Sequence, residues 1–425
     1  MRAIFFAVLA VLGAAVAQAG DKLIYAGTLF AVPGQEPLKE QTVFVRDGKI
    51  LKVEAGFIRA SAGEQVIDLR NHFVMPGLID CHVHILSELS AKSRLETVES
   101  EETYVALRGA AYALRTLRAG FTTVRDLGER SPAIFALKKT INEGLIAGPR
   151  LVVAGSTLSP TGGHAQTYGY REEINLLFAS TGACDGVDEC RKAVRTQVAR
   201  GADVIKLVAT GGVLSNISAG VDQQFTDEEL AVIVKTAHGL GKRVAAHAHG
   251  AGGMAAALRA GVDSIEHGSY VDDTAISLFR KTGAYLVPTV IAGVTVAEHA
   301  KQQGFLTPAQ REKALKVGPL MQAALGRAYK GGVKIAFGTD MGVGVHGQNA
   351  KEFALMTGAG MPPMEALKAA TVNAADLLQL SNVIGTIEPN KMADIVAVAK
   401  DPLSDIKALE RMSFVMRGGQ VYVSP

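Results

Sequence analysis

The strongest constraint in this chain is a repeated alternation of short β-rich apolar runs with longer segments of helical periodicity. Eight such runs follow one another, at residues 73–81, 122–125, 151–154, 204–208, 243–246, 264–266, 285–289 and 334–337. The intervening segments, such as TYVALRGAAYALRTLRAG and GGMAAALRAG, carry apolar residues three and four apart and end in glycine, as amphipathic helices do. Repeated βα units predict a parallel sheet. Eight of them favour an α/β fold closed as a (β/α)8 TIM barrel over an open doubly wound sheet, with the chemistry at the C-terminal ends of the strands.

The remaining sequence, in a chain of 425 residues with 48% hydrophobic content, leaves room for an accessory unit. Residues 20–75 and 385–425 both read as short strands broken by turn signals such as Arg46-Asp47-Gly48. Chain ends commonly lie close together, so these two stretches are expected to complete one small β-sandwich beside a barrel spanning 76–384. Residues 1–19 read as a secretory signal peptide, with Arg2 in the charged segment, an apolar run over 4–16 and a small-x-small site at Ala17-Gln18-Ala19. The competing reading, a membrane anchor, would need about 20 apolar residues. Export implies a periplasmic or secreted protein with no membrane contact after cleavage. It also permits a disulfide between Cys184 and Cys190, which spacing alone leaves open. Cys81, set in an apolar run, reads as a small buried hydrophobe. The net charge of +3 comes from 44 basic and 41 acidic residues mixed along the chain, which gives no basic stripe for nucleic acid.

Unusual polar residues fall at the strand ends. The first run leads into His82-Val83-His84, the fourth contains Lys206, the fifth leads to His247, the sixth to His267 and the eighth to Asp340. Side chains alternate along a strand, so His82 and His84 share a face and can hold one ion together. Such a pair can equally be structural when it stands alone, as can His247 or His267, although imidazole is a common ligand for zinc-like metals. Lys206 lies in VIKLVATGG among apolar neighbours, where an ammonium must be desolvated. Either it reaches out to the barrel mouth, or carbon dioxide carboxylates its amine and the carbamate bridges two cations. Asp340 either caps a helix or serves as ligand and general acid/base; the GVGVHG that follows is not a helix start. His249 shares the side of His247 if the strand continues, which makes it a candidate for substrate contact.

These pieces, MPGLIDCHVH (75–84), FTTVRDLG (121–128), TGGH (161–164), VIKLVATGGVLS (204–215), HAHG (247–250), IEHGSY (265–270), FGTD (337–340) and GTIEPNKMADIVAV (385–398), resemble the amidohydrolase superfamily over nearly the whole chain. They are most similar to its imidazolonepropionase-like branch, which includes Xaa-Pro dipeptidases and ochratoxinase-type carboxypeptidases. The resemblance implies that His82, His84 and Asp340 bind one divalent cation and His247 and His267 a second, most simply Zn2+. N6-carboxylated Lys206 and a hydroxide would bridge them. The hydroxide would attack the amide of a dipeptide or N-acyl amino acid with proline or a hydrophobic residue at its C-terminus, ochratoxin A among the amides to be tested. Asp340 would carry the proton to the departing amine. His164, with Tyr168 and His346, is a candidate to contact substrate, and the resemblance suggests a homo-oligomer. The alternative is a one-metal hydrolase or deaminase of a cyclic substrate, as in the imidazolonepropionases, which an unmodified Lys206 would favour. A third, a binding protein on a barrel scaffold, sits poorly with a complete ligand set.

Overall fold

The computed structural model describes residues 21–216 and 220–425; the expected leader at 1–19 lies outside the described residues. Four strands come first: β1 (Lys22–Leu29), β2 (Leu38–Arg46), β3 (Lys49–Ala55) and β4 (Gln65–Pro76). Eight follow in the centre: β5 (Leu78–Val83), β6 (Phe121–Asp126), β7 (Arg150–Val153), β8 (Val204–Val208), β9 (Arg243–Ala248), β10 (Ser264–His267), β11 (Tyr285–Val287) and β12 (Lys334–Ile335). The chain closes with β13 (Ile395–Val398), β14 (Met412–Arg417) and β15 (Gln420–Val423).

The strands from the two chain ends form one seven-stranded sheet in the order β15-β14-β13-β4-β1-β2-β3. It bends back on itself. The amide of Ile50 on β3 donates to the carbonyl of Lys391, just before β13, at 2.8 Å, although three strands separate β3 from β13 in the sheet. Ile24, Val43, Val74, Ile395 and Phe414 are buried together inside the fold so made.

The eight central strands pair in parallel, β5-β6-β7 in one sheet and β8 to β12 in another. Backbone hydrogen bonds cross both seams between these sheets. Leu158, beyond β7, donates to Lys206 at 2.8 Å, and on the other side Cys81 donates to Phe337 at 2.8 Å and Asp340 to His82 at 2.7 Å. The result is a TIM-barrel-type α/β fold. One expected run is divided: residues 73–76 finish β4 in the end sheet, and the barrel strand starts at Leu78. The break is at Gly77, where any Cβ would lie 2.2 Å from Thr122 Oγ1, so only glycine lets the chain pass between the units.

Helices cover the strands for the reason their patterns suggest. Glu102–Arg118 buries Gly109, Ala113, Thr116 and Leu117, a stripe at four- and three-residue spacing. Asp227–Gly239 begins with a capping box in which Thr226 and Glu229 satisfy each other's backbone amides. Among the described residues no helix is long and apolar enough to cross a membrane. Cys184 and Cys190 are disulfide-bonded, with Cα atoms 4.9 Å apart, and Cys81 is buried.

Candidate metal centre

His82, in β5, and His84, just beyond its end, are alternate residues and point to one place. Asp340 Oδ1 lies 3.4 Å from His82 Nε2 and 3.2 Å from His84 Nε2. The three ligand atoms fall within 4.8 Å of one another. The far side of each ring is already occupied: His82 Nδ1 is 2.9 Å from Glu266 Oε2, and His84 Nδ1 is 2.8 Å from the carbonyl of Gly128. An acceptor at Nδ1 fixes a proton there and turns Nε2 toward Asp340, the orientation a metal requires, and His84 gives up its second proton when an ion replaces it. Asp340 Oδ1 is buried and has no well-directed hydrogen bond among the described residues. A buried carboxylate oxygen facing two imidazole Nε2 atoms, with no well-directed bond to either, fits a divalent cation.

Burial would raise the carboxyl pKa of Asp340, but the fields of His82, His84 and Lys206 hold it below its ordinary value. For His84, burial disfavours the charged ring, and the Asp340 carboxylate outweighs that and lifts its pKa to about 9. Burial, helped by the Lys206 charge, pushes His82 down to about 4.

The other histidines continue the cluster. Ring centroids are 5.1 Å apart for His82 and His267, 4.7 Å for His267 and His247, 4.7 Å for His247 and His249, and 4.4 Å for His247 and His164. Burial, reinforced by its histidine neighbours, drives His247 and His267 well below the usual imidazole value, so both rings are neutral. His267 Nδ1 is 2.7 Å from Thr289 Oγ1, and His249 Nδ1 is 2.7 Å from Ser269 Oγ. The backbone is strained where these groups stand: His267, Thr289 and Asp340 adopt left-handed φ values of 75°, 48° and 58°. The turn at His267 has a visible consequence. Glu266 and His267 are successive residues, yet both reach the His82 ring, which a regular strand would not allow.

Lys206, in β8, is 4% exposed and forms no salt bridge among the described residues. Burial lowers its pKa to about 8, against the opposing pull of Glu266 and Asp340. Its charge is felt at His82, His164, His247, His249 and His267. His247 and His267 supply only two donors, and an unmodified ammonium adds none.

The remaining expected residues lie around this centre. His164 is half-buried with its ring beside His247, its Nδ1 hydrogen-bonded to Ser215 Oγ. Tyr168 turns its hydroxyl to the carbonyl of Gly163 at 2.6 Å. His346 sits behind His84, with Nε2 donating to the carbonyls of His84 at 3.1 Å and Ser87 at 3.0 Å and its ring stacked on Tyr112.

Several contributors escaped the sequence reading. Glu266 takes Arg125 Nη2 on its second oxygen at 2.9 Å, and burial of this carboxylate is outweighed by Arg125 and His82, which hold its pKa at about 2. Asp80 accepts from Thr339 Oγ1 at 2.6 Å and Asn349 Nδ2 at 2.8 Å, tying the His82 strand to the Asp340 segment. Asp80 had a usable signal, since alternation puts it on the face of His82. Arg125 and Glu266 had none beyond charge in an apolar strand.

With this geometry in view, comparison with known proteins is direct. Residues 73–422 match the amidohydrolase family. Ochratoxinase of Aspergillus niger is 32% identical over 435 residues, covering 95% of this chain and 87% of the relative. A crystal structure of a Xaa-Pro dipeptidase with bound methionine in its active site superposes with a TM-score of 0.89 at 40% identity, covering 95% of this chain and 100% of the other. That of a prolidase complexed with N-methylphosphonate-L-proline gives 0.86 at 30% identity, with coverage of 95% and 100%. The chain therefore belongs to the amidohydrolase family, in the branch of the ochratoxinases and Xaa-Pro dipeptidases, and is an enzyme that hydrolyses amide bonds.

Proposed function

We propose that this amidohydrolase works with two divalent cations on dipeptides and N-acyl amino acids. His82, His84 and Asp340 would hold one ion, His247 and His267 the other, and carboxylated Lys206 would join them. The observation that carries the reading is a buried Asp340 carboxylate oxygen facing the imidazoles, together with a buried Lys206 amine that has no ion pair among the described residues and feels the Asp340 charge. An amine with a lowered pKa offers its neutral form to carbon dioxide. A C–N bond forms, one amine proton leaves, and the carbamate anion replaces a buried positive charge. Imidazole and carboxylate donors suit zinc.

When bound, the cations supply Lewis acidity, polarising the substrate carbonyl and lowering the pKa of water toward ~7. The protein groups divide the rest. Asp340, kept ionised by its surroundings, accepts the proton of the attacking water and returns it to the departing amine. His164 remains neutral. In the tautomer in which the Ser215 hydroxyl donates to Nδ1, the ring proton sits on Nε2 and can be donated to a substrate oxygen. The family relatives, an ochratoxinase and structures of a Xaa-Pro dipeptidase and a prolidase, favour an amide whose leaving group is proline or a hydrophobic amino acid. The Cys184–Cys190 bond supports an exported enzyme.

A panel of dipeptides, N-acyl amino acids and ochratoxin A, assayed with zinc-loaded protein, tests the reading. Turnover of at least one amide, lost on chelation, is expected; turnover of a cyclic imidazolone and of no amide would contradict it.

A further inference from the structure

The loop after β8 passes beneath His164, and a helix on the opposite side of that loop holds it. Gly212 is the closest point: a Cβ there would lie 2.3 Å from His164 Nε2, so the missing side chain is what makes room for the ring. Ser215 bonds His164 Nδ1, and Gln224, at the far end of the loop, accepts the His164 backbone amide at 2.9 Å. His164 thus takes its position from the loop.

The loop in turn takes its position from the helix Pro308–Val317. Lys313 Nζ donates to the carbonyl of Gly212 at 2.9 Å and to that of Ser215 at 2.8 Å, spanning the turn that carries both. Gln310 Nε2 donates to the carbonyl of Leu214 between them at 2.7 Å. Residues three apart on a helix share a face, so Gln310 and Lys313 grip the loop together. Gln310 is itself fixed, because its Oε1 completes the capping box with Thr307 at the helix start. Below the polar grip, Val213 is buried in one apolar cluster with Ala314 and Val317.

We infer that Lys313 is a positioning residue of the hydrolytic site, acting through the 212–215 turn and Ser215 to hold His164 at the substrate. The inference rests on the proposed role of His164. A long polar side chain that bonds two carbonyls of one turn resists a shift of about 1 Å, a displacement that can lower the rate of a positioned reaction up to about 100-fold.

The test uses the full zinc-loaded chain and the amide that the wild type hydrolyses best. Lys313→Met, which keeps the stem and removes the donors, is expected to lower kcat/KM about 10- to 100-fold with zinc content and Tm unchanged. Lys313→Arg, which keeps charged donors, should recover most of that loss. In a His164→Asn background, Lys313→Met should cost nothing further, and Ser215→Ala should show the same dependence. Wild-type activity in Lys313→Met, or an equal loss with and without His164, overturns the inference while leaving the role of His164 intact. Wild-type activity in His164→Asn alone overturns that role and the inference with it.

Discussion

Glu266 holds His82 from behind: its Oε2 stands 2.9 Å from His82 Nδ1, while its Oε1 is 2.9 Å from the guanidinium of Arg125. All three side chains are buried. One carboxylate thus sets the tautomer of a proposed metal ligand and neutralises a cation inside the barrel.

Glu266→Gln should therefore weaken both. Loss of an acceptor behind a ligating histidine lowers metal affinity by about 10- to 100-fold. Leaving Arg125 without its counter-charge costs about 3–5 kcal/mol of stability. Zinc competition titration and thermal melts measure the two effects; unchanged zinc affinity would remove Glu266 from the site.

Metal-free protein should lose stability as the pH falls from about 6.5 to 4. Burial lowers His82 and His249 to about 4 and His164 to about 3, and depresses His247 and His267 as well. Over that window the unfolded chain binds protons that the fold refuses, so acid favours unfolding. His84 and the buried carboxyls of Asp80 and Glu129 act in the opposite sense: raised to about 9, 6 and 8, each stabilises the fold below its unfolded value and loses that contribution as the pH climbs through its folded one. Melting of chelator-treated protein should show the acid loss, and zinc should raise Tm wherever the ligands are neutral. A Tm that is flat between pH 6.5 and 4.5 would contradict the buried, neutral cluster.

Much of this site could be read from sequence because strand alternation and strand ends carry the information. His82 and His84 converge on Asp340 since both descend from one strand and the barrel brings the last strand beside the first. The supporting groups follow a different logic. His267 and Thr289 adopt left-handed backbone that no local residue preference announces, and it is this turn that lets Glu266 and His267 both meet His82. The division of one predicted strand at Gly77 was hidden for a related reason: apolar residues continue without a break from the end sheet into the barrel.

Thr289→Val tests the strained turn. It removes the partner of His267 Nδ1, and the amides of Val290 and Ile291 stay capped by the Glu352 carboxylate at 2.8 and 2.7 Å. Stability should change by about 1 kcal/mol, while metal affinity or activity falls about 10-fold. A large loss of stability with full activity in the remaining folded protein would assign Thr289 to folding alone.

Asp340→Asn should keep the fold and lower kcat by about 10²–10⁴, the usual contribution of a positioned acid/base. Retained turnover would refute its assigned role.

The most direct test of the two-cation account is metal content after reconstitution with zinc and bicarbonate. Wild-type protein should hold about two zinc ions per chain and Lys206→Met, without the carbamate, about one or fewer. One ion per chain in active wild-type protein, with Lys206 unmodified, would contradict the account.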